Sequence, residues 1–319
     1  MFCLSALSAQ LKRIELNFRQ KLWRLSFSIL TFGSLLMAFS GVHAQSISFA
    51  DDTGQIITLP QPPQRIVSLA PAITENLFAI GLGDKVVGVS SFSDYPEQAK
   101  HLPIVSDYQN IDLEAVAKLK PDIVIAWHGG QSPAQIAALK QLNIPVFYQK
   151  INTLTDIPMS LMRLSQMARN QTESAPVIAE AYSKIPLLAE APNPPLNAFY
   201  QVWANPLMTL NGNHWVSDML LRCGARNIFA DLAISAPTVN IEDVIAQRPA
   251  LIITGSKNGV NDGTLDLWHS WTHIPAIQHQ GLIYMDADTM NRATLRTLTT
   301  GQQLCERVEQ VRNDRKVIN

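Results

Sequence analysis

The stretch Leu113-Glu114-x-Val116-x₃-Lys120-Pro121-x-Ile123-Val124-Ile125 recurs 128 residues later as Ile241-Glu242-x-Val244-x₃-Arg248-Pro249-x-Leu251-Ile252-Ile253. Each copy reads as a short helix with Glu in its first turn, then a basic residue, a proline stop and a buried strand. The helix dipole alone favours Glu in a first turn, so the glutamates by themselves carry little weight. The whole ordered echo is harder to dismiss: it predicts two lobes built on the same plan.

Outward from the first copy, strands alternate with helices. Asp51-Asp52-Thr53-Gly54 reads as the turn of a short hairpin. Arg65–Leu69, Lys85–Val89, Ile123–Ala126 and Pro145–Tyr148 read as strands, separated by helices from Pro71, Asp112 and Gln135. That alternation predicts an α/β fold, with parallel-rich Rossmann-like sheets covered by helices on both faces. Between residues 155 and 188 the pattern is helical, with no strand. Pro158 suits a first turn, whereas Pro176 and Pro186 are expected to bend or end the helix. Strand–helix alternation then resumes at Ala198. The expected organisation is a signal at 1–44, a first lobe at 45–153, a connecting helical region at 154–192 and a second lobe at 193–319.

The first 44 residues differ in character. Lys12, Arg13, Arg19, Lys21 and Arg24 precede an uncharged apolar stretch from Leu25 to Ser40, and Val42-His43-Ala44 is a small-x-small cleavage pattern. This is the layout of a secretory signal cleaved near Ala44; an uncleaved anchor is the alternative. The full chain of 319 residues has 25 Lys+Arg against 26 Asp+Glu, so no basic excess points to nucleic acid. Removing the signal leaves 275 residues with net charge −5, and two of the three cysteines, Cys223 and Cys305. An exported pair is usually oxidised, the alternative being two buried free thiols. A bond would close a loop of about 82 residues and add at most about 4 kcal/mol.

Two α/β lobes leave a cleft at the carboxyl ends of their strands, where ligands of such sheets sit. The segments expected there are Ser91–Tyr95, Asp107-Tyr108, Trp127–Gly130, Trp203–Asn205 and Asp286–Arg292. Aromatics at loop tips are costly to expose unless something covers them, which points to a flat, partly apolar ligand. No G-x-S-x-G elbow, phosphate loop or dinucleotide fingerprint is present, so no enzyme is expected. His269-x₃-His273 would place two imidazoles on one helical face, but no further ligand completes the set. His128 and His214, in loops of opposite lobes, are the better metal candidates, although no metal is expected.

The ordered motifs Pro63-x-Arg65-Ile-Val-Ser-Leu69-x-Pro71…Glu75, Gly88-Val-Ser-Ser-x-Ser-Asp-Tyr-Pro96, Ile125-Ala-Trp-x-Gly-Gly130, Cys223-Gly…Asn227-Ile-Phe229 and Arg292-Ala…Gln302-Gln-Leu-Cys305 carry a resemblance. From about Pro63 to Val308 the chain resembles the periplasmic binding proteins of ABC importers whose lobes are joined by a single long backbone helix (class III), and in particular their cobalamin-binding branch. The resemblance implies that Phe92, Tyr108 and Trp127 of the first lobe, and Asp288 and Arg292 of the second, contact the ligand. Glu114 and Glu242 match the glutamates that pair with permease arginines, and Cys223 and Cys305 match a disulfide. Two positions depart from that branch: Ala236 stands where it carries a tryptophan before proline, and position 108 is Tyr in place of Trp. Trp203 lies near a family aromatic position and is expected to replace part of the lost ring. The function implied is capture of cobalamin (vitamin B12) or a similar corrinoid by a periplasmic monomer, as transported ligand and not cofactor. Delivery would be to an inner-membrane permease and its ATPase. Haem or a ferric siderophore on the same scaffold is the nearest alternative, and a metal ion a more distant one.

Overall fold

The structure, a computed structural model, describes residues 46–107, 109–185 and 194–318. The expected signal and Tyr108 lie outside these residues. Strands β1 (Ile47–Ala50) and β2 (Ile56–Leu59) form the expected antiparallel hairpin. The first lobe is then a five-stranded sheet of β3 (Ile66–Ser68), β4 (Val86–Ser90), β5 (Ile104–Ser106), β6 (Ile123–Trp127) and β7 (Val146–Gln149). Its order is β5-β4-β3-β6-β7, and every pairing is parallel. The chain reverses its direction of travel between β3 and β6, and the crevice outside the strand ends at such a switch point is the usual ligand position.

Successive strand residues feed opposite faces. Ile66 joins the cluster that includes Ile73 and Leu77 of helix α1 (Pro71–Ala79). Val67 joins the cluster under α2 (Leu113–Lys118) and α3 (Pro133–Gln141), with Val116, Ile136 and Leu139. Both faces are therefore covered, which is why these strands are apolar throughout.

The second lobe is a parallel sheet ordered β11-β8-β12-β13, with β8 at Leu196–Gln201, β11 at Ala225–Asn227, β12 at Leu251–Ser256 and β13 at Leu282–Asp286. A small ribbon, β9 (Trp203–Ala204) with β10 (Leu207–Met208), rises from the end of β8. Helices α6 (Trp215–Arg222), α7 (Ile241–Ala246), α8 (Pro275–Gln278), α9 (Ala287–Met290) and α10 (Leu295–Ile318) complete the lobe. The sequence echo is a structural one. Lys120 and Arg248, the basic residues after α2 and α7, both adopt left-handed backbone (φ 45° and 48°) just before the proline and the strand.

Between the lobes lie α4 (Asp156–Ala168) and α5 (Gln171–Lys184). Pro158 occupies the first turn of α4, where its missing N–H has no helical acceptor. Arg169 (φ 53°) ends α4, so the crossing itself falls to α5, which tolerates Pro176 in its interior. Leu161 and Leu164 of α4 and Ala181 of α5 belong to one apolar core that runs from Ile66 in the first lobe to Trp215 and Val311 in the second. A core shared in this way opposes large hinge motion, because opening would expose it. Cys223 and Cys305 are joined in a disulfide, Cα atoms 4.5 Å apart, fastening the end of α6 to α10.

Candidate functional site

First-lobe strand ends meet the start of α6 and the segment after α9 at a small apolar cavity of about 190 Å³. Ala70, Pro71 and Ile73 wall it at the start of α1, Trp127 and Gln149 at the ends of β6 and β7, and Trp215, Asn291 and Arg292 from the second lobe. Of the exposed rings, Trp127 lines this cavity.

Phe92 is 74% exposed and its φ is 63°. That left-handed conformation is uncommon for a side chain of this size and needs support from its surroundings. Support comes from buried hydroxyls beneath the loop: Ser68 to Thr74 (2.8 Å), Thr74 to Ser93 (3.1 Å) and Ser90 to Ser93 (3.2 Å). Trp127, the last residue of β6, is 47% exposed. Gly129 turns with φ 85°, and a Cβ on Gly130 would sit 2.7 Å from the indole, so the glycine pair lets the ring lie over its own loop. Trp203, 61% exposed, stands on the β9–β10 ribbon with Nε1 donating to the Asn205 carbonyl (2.9 Å). Trp203 pairs with Met208, and Met208 pairs with Thr238 across an antiparallel bridge. Alternation along that segment puts Ala236 on the same face as Trp203, so the two positions border one surface.

Arg292 is the most engaged polar residue of the cavity. Its Nη1 donates to Glu75 (3.0 Å) and Asp94 (2.6 Å), and its Nη2 to Asp288 (2.9 Å). Burial would push Asp94 up, but the hydrogen bond and charge of Arg292 outweigh it and hold that carboxyl below its ordinary value. Burial alone would lower Arg292, but Asp94 and Glu75 more than reverse this and raise it further. Asp94 and Asp288 are themselves exposed, so their remaining oxygen valences point to acceptor chemistry at the cavity edge.

The histidines do other work. His214 caps α6: its Nδ1 accepts the Val216 N–H (3.2 Å), and its ring lies 3.7 Å from that of Trp215. Desolvation of this half-buried ring pushes its pKa down to about 3. His128 packs edge-on against Tyr148. His269 lies in a short 3₁₀ helix (Asp266–Ser270) and His273 in the loop beyond it, so the shared helical face expected for this pair does not form. Among the described residues no group of three or more His, Cys, Asp or Glu is placed to hold a metal ion.

Of the expected ligand contacts, the structure gathers Trp127 and Arg292 on one cavity and ties Asp288 to Arg292. Phe92 and Trp203 stand on separate loops at the strand ends. Glu114 and Glu242 occupy the exposed first turns of α2 and α7, and Glu114 forms a 2.7 Å pair with Lys118. Glu75, Trp215 and Arg296 are absent from the sequence-based site. Glu75 lies mid-helix and figures in the sequence only as part of a family motif with no role attached, while Trp215 and Arg296 stand at the starts of α6 and α10, where no local signal marks them.

Residues 66–289 match the model of a periplasmic binding protein family, and this chain belongs to that family. Among its relatives are proteins named vitamin B12-binding protein. That of Vibrio campbellii is 38% identical over 257 residues, covering 80% of this chain and 92% of the relative. That of Vibrio cholerae is 37% identical over 256 residues, covering 79% and 92%. The crystal structure of the periplasmic vitamin B12-binding protein BtuF of Vibrio cholerae superposes with TM-score 0.72 at 35% identity, over 79% of this chain and 98% of that one. A periplasmic haem-binding protein from Roseiflexus shares the fold at 23% identity and TM-score 0.65, covering 78% and 98%.

Proposed function

We propose that this chain is the cargo-binding component of an ABC importer, capturing cobalamin or a similar corrinoid between its lobes in the periplasm and releasing it to an inner-membrane permease. The observation that carries the reading is the make-up of the cleft: exposed rings from both lobes beside polar groups that are mainly acceptors. Phe92, Trp127 and Trp203 supply apolar faces for a flat macrocycle, and Tyr108 has the same role by resemblance. Asp94 and Asp288, steadied by Arg292, suit the amide N–H groups on a corrin periphery.

Haem fits this edge less well. Its propionates require free cations, whereas Arg292 and Arg296 are both neutralised by carboxylates. Glu114 and Glu242, projecting from equivalent helices of the two lobes, form a two-point dock for permease arginines. The corrinoid is cargo and not a resident cofactor; no bond is made or broken, and the protein acts as a monomer. Relatives named for vitamin B12 binding support the choice of ligand. Competition of haemin against cyanocobalamin on the mature chain tests it. Cyanocobalamin should displace haemin at comparable concentration, and preferential haemin retention would overturn the choice.

A further inference from the structure

We infer that Glu75 is the keystone that locks the two lobes together and positions Arg292 at the apolar cavity. The inference rests on the reading above only for the identity of the ligand. Glu75 sits in the middle of α1 in the first lobe, and its side chain is 3% exposed. An isolated carboxylate at such a site is costly, so its partners define its role. Both partners come from the second lobe. Arg296 grips Glu75 with two nitrogens, Nε to Oε2 (3.0 Å) and Nη2 to Oε1 (2.5 Å), while Arg292 Nη1 reaches Oε1 (3.0 Å).

The surrounding contacts follow the same seam. Asn76, fully buried next to Glu75, donates to the Ala293 carbonyl (3.1 Å). The Arg296 guanidinium lies 4.0 Å above the Tyr95 ring. Residues 292–296 of the second lobe are thus held by Glu75, Asn76, Asp94 and Tyr95 of the first. Glu75 alone among these touches both arginines. Without its charge, Arg296 loses the carboxylate that holds it to the first lobe, and Arg292 is left with Asp94 and Asp288.

Pro71 and Ile73, on the preceding turn of the same helix, line the cavity, so the lock lies directly behind its wall. Together with the apolar core along α4 and α5, it fixes the spacing between the aromatic loops before any ligand arrives. Glu75 is therefore a positioning residue.

Spin labels at the exposed helix positions Ala117→Cys and Ala246→Cys, with the native disulfide kept oxidised, report the distance between lobes by pulsed electron resonance. The ligand-free protein should give a single narrow distribution that cyanocobalamin leaves in place. Glu75→Gln, which keeps side-chain volume but removes the charge and one acceptor oxygen, should add a population at longer distance. Arg296→Met removes two of the three hydrogen bonds to Glu75 from the partly exposed second-lobe partner and should do likewise, so the lock can be judged even if one variant folds poorly. Distributions identical to the parent in both variants, even with lowered thermal stability, would overturn the inference and leave Glu75 an ordinary stabilising ion pair. The ligand-free distances decide the matter whether or not cyanocobalamin binds.

Discussion

Replacing Trp127 with alanine removes a ring that is half covered by the protein and half in water, so it should cost both folding and binding. A tryptophan can bury about 250 Å², and with 47% of it exposed a covering ligand would take roughly 120 Å² out of solvent. At about 25 cal/mol per Å² that area is worth about 3 kcal/mol, less what the alanine methyl still covers. The expected loss is about 2–3 kcal/mol, or roughly a 30–150-fold rise in Kd for cyanocobalamin. Isothermal titration of the mature chain measures it. Trp127→Phe keeps a smaller ring and should lose less. The rest of the ring, roughly 130 Å² already covered by the protein, is worth a similar amount to folding, so urea unfolding of Trp127→Ala should also drop by about 2–3 kcal/mol. A Kd within twofold of the parent would refute the reasoning, since an aromatic wall that no ligand covers cannot be part of the site.

Other expectations follow from the same geometry. Ala236→Trp puts an indole back on the face that Trp203 borders and should tighten cyanocobalamin binding; Trp203→Ala should weaken it, and titration of both reads the result. Combined Glu114→Arg and Glu242→Arg should abolish transport in a corrinoid-dependent growth assay while the purified protein still binds ligand; normal growth would remove the docking role. His214 is neutral in the folded chain with a pKa near 3, whereas the unfolded chain takes up a proton below about 6.5. Stability should therefore fall as pH drops from about 6.5 toward 3, at up to about 1.4 kcal/mol per pH unit. His214→Asn keeps a capping side chain and should flatten that part of the profile in thermal unfolding measured against pH.

What was legible in the sequence follows from what periodicity encodes. The central strands and their covering helices were readable because burial on both faces makes Ile123–Trp127 and Leu251–Ser256 apolar throughout. The repeat at Glu114 and Glu242 was readable because the same helix–proline–strand unit was used twice. The edge strands β5 (Ile104–Ser106) and β11 (Ala225–Asn227) are not legible, because three residues without a flanking apolar run, unlike the run around β3, carry no strand signal. The aromatic loops could be listed from their place after strands, but the support beneath Phe92 depends on hydroxyls drawn from β3, α1 and the loop after β4. The lock was invisible for a related reason. Glu75 and Arg296 lie 221 residues apart, and each reads locally as one more charge on a helix.

The cleft reading stands on capture of a corrinoid by the mature, disulfide-bonded chain. Equilibrium dialysis against cyanocobalamin, followed by its visible absorbance, measures this directly. Saturable binding of one ligand per chain, at micromolar concentration or tighter, is the predicted result. No retention at tens of micromolar, with the protein folded and its disulfide intact, would contradict it.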